Sequence, residues 1–189
     1  MSTARKDEGY YTYADTLEWN ENFRAEVIGG EIFMMAPPGT IHQDIIGEFF
    51  VFLHGFLKGK TCRAYIAPFG VRLFPKQDLS DDTLVEPDIA VVYDRAKIDK
   101  RGCNGAPDMI VEILSPSSAR YDQIVKFRLY QKAGVREYWI VDGENRVVHV
   151  HTLSDESYVT AVYGEDDKVP VSVLPGCMIP LKEVFTQGE

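Results

Sequence analysis

The sequence predicts an α+β domain with a mixed or antiparallel sheet and two main helices. Three observations predict it. Short apolar segments with strand character are numerous. Only two stretches look like substantial helices. Those helices are separated by runs of several strands instead of alternating with them one by one.

Residues 1–20 are polar and aromatic, and are expected to be a helix with a loosely attached tail. Ala25–Met35 (AEVIGGEIFMM) reads as a hairpin, because Gly29-Gly30 supplies the positive φ of a two-residue turn. Pro37-Pro38-Gly39 breaks the chain. Thr40 can cap a helix from Ile41 to Lys58 whose apolar face is Ile41, Ile45, Phe49, Phe52, Leu53 and Phe56. CRAYIAP and GVRLF are strands flanking Pro68-Phe69. Asp78–Asp82 is an acidic loop.

Pro87–Tyr93 (PDIAVVY) and Pro107–Leu114 (PDMIVEIL) are strands, joined by a loop carrying Arg95, Lys97, Lys100 and Arg101. Pro116 ends the second. Ser117 or Ser118 caps a helix that runs to about Ala133, with Gly134 as its C-cap. REYWIVD, RVVHVHTL, YVTAVY and KVPVSVL are further strands. Residues 1–189 form a single domain in this reading.

The chain is 45% hydrophobic and 26% charged, with a formal net charge of −9. That balance argues against coating nucleic acid by bulk electrostatics. It leaves room for a metal and a few local cations to hold one phosphate. Cys62, Cys103 and Cys177 are far apart and odd in number, as expected of thiols in a reducing compartment. The first residues lack an apolar signal-peptide core, and FFVFLHGFL is too short to span a bilayer. A cytoplasmic protein is expected.

Glu112 stands inside the apolar run Met109–Leu114, where a carboxylate is costly to desolvate without a cation. Alternation puts Asp108, Ile110, Glu112 and Leu114 on one strand face. Asp88, Ala90 and Val92 share a face of the earlier strand. If these strands are neighbours, Asp88 and Glu112 converge, and two close carboxylates repel unless a cation lies between them. Hard oxygen ligands without paired His or Cys suggest Mg²⁺ or Mn²⁺. Asp108 is roughly 13 Å from Glu112 along the strand, too far to share the ion, and is expected to bond a nearby backbone N–H.

A Pro-Asp on one strand and a Glu 24 positions later on the next resembles the PD-(D/E)xK nuclease superfamily. MMAPPGTIHQ, VEPDIAVV, RGCNGAPDMIVEILSPSS and YQKAGVREYWIVD are similar to one bacterial branch, the restriction-endonuclease family often labelled Uma-two, from about Glu26 to about Leu153. The resemblance implies a restriction-endonuclease-like core, a central mixed sheet flanked by helices, and metal-dependent hydrolysis of DNA phosphodiesters. It implies Asp88, Glu112 and the backbone carbonyl of Ile113 as metal ligands. The choice of Asp88 over Asp108 rests on the family's spacing as well as on distance. A homodimer is expected for cutting both strands, with the apolar strands late in the chain as its interface.

The superfamily pattern wants Lys two residues after Glu112, where this chain has Leu114. At ~100° per residue, the next helix places Leu129, Tyr130 and Ala133 in an apolar sector and Lys126 inside it. Arg128, Lys132 and Tyr121 fall on the far side, facing water. Lys126 is therefore the expected replacement catalytic lysine, with Gln123, at the border of that sector, assisting. The plain alternative pairs Lys126 with Asp122 one turn earlier.

Glu26 or Glu31 can add an acid from the hairpin, although a solvated strand edge suits at least one of them. His42 has a structural hydrogen bond as its default role. His149 and His151 share a strand face but lack a third ligand of convincing spacing. Ser115 and Ser117 have no base at a recognised offset. Arg95–Arg101 either tracks a phosphate backbone or is a solvated loop. Two rival functions stand beside the nuclease: a catalytically inactive interaction or regulatory module, and a β-rich metal-binding protein centred on His149 and His151.

Overall fold

The hairpin glycines show how local sequence sets this fold. In the computed structural model, which describes residues 9–20, 23–115 and 121–185, a short helix α1 (Tyr13–Thr16) precedes β1 (Ala25–Ile28) and β2 (Glu31–Met34). Gly29 and Gly30 join the strands at φ 59° and 82°, a left-handed backbone that costs glycine little. The segment around α1 is tied down: Tyr13 N–H donates to the Asp81 carbonyl at 2.7 Å, and Tyr11 N–H to that of Gly30 at 2.8 Å. Residues 1–8 of the expected loose tail lie outside the described residues.

The first long helix, α2, spans Thr40–Leu57. Gly39, not Thr40, occupies the N-cap. Ile45, Ile46, Phe49, Leu53 and Leu57 form its buried stripe, while Ile41 is exposed. Burying side chains of this size contributes about 1.5–3 kcal/mol each.

Then come β3 (Arg63–Ile66), β4 (Gly70–Arg72), β5 (Leu84–Val85), β6 (Ile89–Val92), β7 (Gly102–Asn104) and β8 (Met109–Ile113). Residues Tyr121–Lys126 form a π-helical turn that runs into α3 (Phe127–Ala133), which Gly134 ends in the left-handed region. The expected caps Ser117 and Ser118 lie outside the described residues. The chain continues through β9 (Glu137–Asp142), β10 (Val147–Ser154), β11 (Ser157–Gly164), β12 (Lys168–Pro170), β13 (Met178–Pro180) and α4 (Leu181–Val184).

Six strands form the central sheet in the order β11-β10-β9-β8-β6-β3. Its pairs are antiparallel except β8 with β9, which are parallel and need the α3 crossover. A second sheet runs β2-β1-β5-β4-β7. Strand alternation divides the core. Met109 and Val111 face α2 with Trp139, whereas Ile110 faces Tyr130 of α3, Tyr138, and Val71 and Val85 of the second sheet. The mixed α+β architecture expected from the sequence is the observed one. Among the described residues no helix is long and apolar enough to cross a membrane.

Candidate active site

β6 and β8 are antiparallel neighbours, with Ile89 opposite Val111. That register carries Asp88 to the end of the ladder beside Glu112. Asp88 Oδ2 accepts the Ile113 N–H at 2.7 Å, and Glu112 Oε2 lies 3.4 Å from the Asp88 N–H. Glu112 is held by the backbone of Asp88, and Asp88 by that of the residue after Glu112, so their approach is built into the sheet.

Lys126 supplies the cation. Its Nζ is 2.9 Å from Glu112 Oε1, 2.9 Å from Glu26 Oε1 and 3.6 Å from Asp122 Oδ1. Glu26 also accepts the Glu86 N–H at 2.8 Å, and Tyr130 donates its hydroxyl to Glu112 Oε1 at 2.8 Å. Glu112 and Lys126 are each only 4% exposed. Burial pushes the Glu112 carboxyl well above the usual range; Lys126 opposes that, and Asp122, Asp88 and Glu26 add to it. Burial alone would lower Lys126, but Glu112 and Glu26 hold it well above its ordinary value. The lysine is charged, and burial first, with the other acids adding to it, makes Glu112 the reluctant anion.

The π turn decides what faces this cluster. Its i→i+5 pattern sets Tyr121 and Lys126 on one side, and the ammonium lies 5.6 Å from the centre of the Tyr121 ring. An α-helical wheel put Tyr121 toward water; instead it packs on Phe33 at a centroid distance of 4.6 Å. Gln123 is exposed and is absent from the cleft lining, where Asp122 stands. Arg128 and Lys132 face outward as expected.

These groups line a cleft of about 540 Å³, with Asp88, Ile113, His42 and Ser115 on its walls. His42 Nε2 is 3.2 Å from Asp88 Oδ2. Burial lowers the His42 pKa, but the hydrogen bond and charge of Asp88, with a contribution from the Ile113 backbone, raise it overall. Among the described residues, three buried polar atoms on this cleft find no hydrogen-bond partner: Arg24 Nε, His42 Nδ1 and Tyr121 Oη. Such groups are rare in folded proteins, and three of them fall on this one cleft.

The other candidates sit elsewhere. Asp108 accepts the Tyr93 N–H at 2.7 Å and meets Arg136 at 3.3 Å, at the far end of β8. Arg95–Arg101 follows that same far end of β6. Glu31 is exposed. The His149 and His151 rings stack with centroids 6.4 Å apart, and His151 Nδ1 bonds Thr160 Oγ1 at 2.8 Å. Ser117 lies outside the described residues.

The donor set fits a small divalent cation. Five carboxylates (Glu26, Glu86, Asp88, Glu112 and Asp122) line the cleft against Arg24, Lys126 and His42, leaving negative charge uncompensated. Among the described residues no three His, Cys, Asp or Glu side chains form a ready-made cage. Mg²⁺ commonly takes one or two carboxylates and keeps several waters. Asp88 and Glu112 would hold it, with the Ile113 carbonyl.

The mixed sheet and the carboxylate–lysine cluster on its interior strand β8 define a restriction-endonuclease-like protein. A solved structure from Anabaena variabilis, described as a putative nuclease belonging to DUF820, has this fold: it matches with a TM-score of 0.74 over 93% of this chain and 97% of that one, at 24% identity. An uncharacterized protein of Synechocystis sp. is 24% identical over 143 residues, covering 74% of this chain and 73% of the relative. The model of the Uma2 family, whose description reads "Putative restriction endonuclease", matches residues 10–182, and the chain belongs to that family.

Proposed function

We propose that the protein is a divalent-metal-dependent phosphodiester hydrolase, an endonuclease acting on DNA with Mg²⁺ or Mn²⁺. The observation that carries this reading is Lys126, held between Glu112 and Glu26 on the wall of the cleft that Asp88 also lines. In it, Asp88, Glu112 and the Ile113 carbonyl hold the metal. When bound, the metal supplies Lewis-acid polarisation of the phosphate and a lowered pKa for a coordinated water.

The chain's own residues do the rest. Lys126 orients the attacking water or balances charge that develops on the phosphate oxygens. Tyr130 and Lys126 together fix the Glu112 carboxylate in one rotamer. His42 fixes Asp88. Glu26 keeps Lys126 charged. Gln123, exposed as it is, has no part in this version of the site.

The test is incubation of plasmid and oligonucleotide DNA with wild type and Lys126→Ala in Mg²⁺ or Mn²⁺. Wild-type cleavage that falls at least 100-fold in the variant is expected. Equal rates in the two proteins remove Lys126 from the mechanism.

A second reading is a non-catalytic module that keeps the fold and its acids. The net charge of −9 and Leu114 in place of the family lysine favour it. Calorimetry separates the two: absence of Mg²⁺ and Mn²⁺ binding, unchanged by Glu112→Gln, supports the module.

A further inference from the structure

We infer that this cleft takes an unpaired nucleic-acid strand and not an intact duplex. The inference rests on the nuclease reading of the same site and adds the form of its substrate.

Depth and size come first. Glu112 and Lys126 are 4% exposed, so a phosphate reaches them only by entering the cleft. At about 540 Å³, the space falls in the range that encloses one small molecule. One or two nucleotides of a flexible strand fit such a volume. The body of a base-paired helix does not enter such a space and can bring only its outer phosphates to the rim.

The lining points the same way. Beside the acids and Lys126, the lining carries the apolar residues Phe33, Met34, Pro37, Pro38 and Ile66. Met34 and Ile66 are 65% and 40% exposed, large apolar side chains of the cleft left open to solvent. A duplex presents phosphate and sugar to such a surface and gains little from it. An unpaired strand presents the faces of its bases, which stack on aromatic rings whatever their sequence. The Phe33–Tyr121 pair, centroids 4.6 Å apart, supplies the rings.

Two of the unpartnered polar atoms complete the recognition. Arg24 Nε and the Tyr121 hydroxyl lie buried on the cleft with no hydrogen-bond partner among the described residues. Both can donate to a phosphate or to the edge of a splayed base.

Charge excludes the alternative. Proteins that hold duplex by its backbone spread Lys and Arg along the path of the phosphates. Here, among the described residues, the cleft carries one arginine, Arg24, whose Nη2 pairs with Glu86 at 3.0 Å and leaves its Nε to donate, and one lysine, Lys126, held by its acids. The basic segment Arg95–Arg101 follows the opposite end of β6. Stacking with one metal-bridged phosphate needs no such rail.

The experiment uses the full chain in Mn²⁺. Fluorescein-labelled single-stranded DNA, single-stranded RNA and duplex DNA of one sequence are followed by anisotropy and by cleavage. At least tenfold tighter binding of a single strand than of duplex is expected, and the preferred sugar identifies DNA or RNA as the source. Phe33→Ala should weaken single-strand binding about tenfold while its Mn²⁺ isotherm and melting curve stay close to wild type. Duplex bound as tightly as single strands, or no strand bound at all, overturns the inference. Tight single-strand binding without cleavage sustains it and sinks the nuclease reading. Equal cleavage and binding of both forms does the reverse.

Discussion

Lys126 Nζ lies 2.9 Å from Glu112 Oε1, and both side chains are almost wholly buried. The pair joins the crossover helix to the middle of the central sheet, and a second acid, Glu26, reaches the same ammonium from the second sheet. One cation thus ties three elements together. Breaking a buried pair from one side leaves an uncompensated charge, which costs more than the pair contributes.

Lys126→Met should therefore destabilise the protein by about 3–5 kcal/mol, measured by urea unfolding without metal. Adding Glu112→Gln to that variant should recover part of the loss, because one stranded carboxylate is gone. A double variant as unstable as the sum of both single changes would show that the acids are not coupled through the lysine.

Tyr130→Phe removes the hydroxyl that donates to Glu112 at 2.8 Å and changes little else in volume. The expected loss is about 1–2 kcal/mol. In the cleavage assay the variant should slow turnover more than it raises KM, since the ring only fixes the carboxylate. A variant as stable and as active as wild type would leave this hydrogen bond without a role.

Asp88→Asn keeps the size of the side chain and its bond from the Ile113 N–H, but halves the anionic donor pair proposed for the metal. Mn²⁺ affinity by calorimetry should fall at least tenfold. Asp108→Asn, at the far end of β8, should leave that affinity unchanged.

His151 predicts a pH dependence unrelated to the cleft. Burial, with a smaller push from His149, lowers its pKa to about 4. Its folded value lies below the ordinary 6.5, so the fold holds it neutral and the unfolded chain takes up the proton first. Stability is fully present above pH 6.5 and is lost as pH falls toward 4, by roughly 2–3 kcal/mol. His151→Gln should flatten that part of the urea-midpoint profile between pH 7 and 4. An unchanged slope would mean another group carries the acid sensitivity.

The expected homodimer would use β11, the edge of the central sheet, which is uncharged from Ser157 to Gly164 and exposes Val159 and Val162. Sedimentation velocity should show a dimer for wild type and a monomer for Val162→Lys. A wild-type monomer would remove this interface.

Much of the site is legible in the residues themselves, for local reasons. The period of two places Asp88 and Glu112 on faces that meet once β6 and β8 are neighbours, and the absent lysine at Leu114 sends attention to Lys126. Gly29-Gly30 announces the hairpin. Asp108 is separated from the metal candidates by strand length alone.

What only the tertiary structure decided depends on contacts between segments distant in sequence and on one local geometry. Glu26 and Glu31 flank the same turn, and only the docking of the hairpin on the central sheet buries Glu26 against Lys126, a hundred residues on, while Glu31 stays in water. A wheel of ~100° per residue correctly turns Lys126 inward but misplaces Tyr121 and Gln123, because the chain there winds as a π turn. The hydroxyl of Tyr130 had no visible partner in the sequence, since that partner, Glu112, sits on β8 while Tyr130 is on α3. Sequence periodicity reports which way a residue points from its own element; only packing decides which charge it meets there.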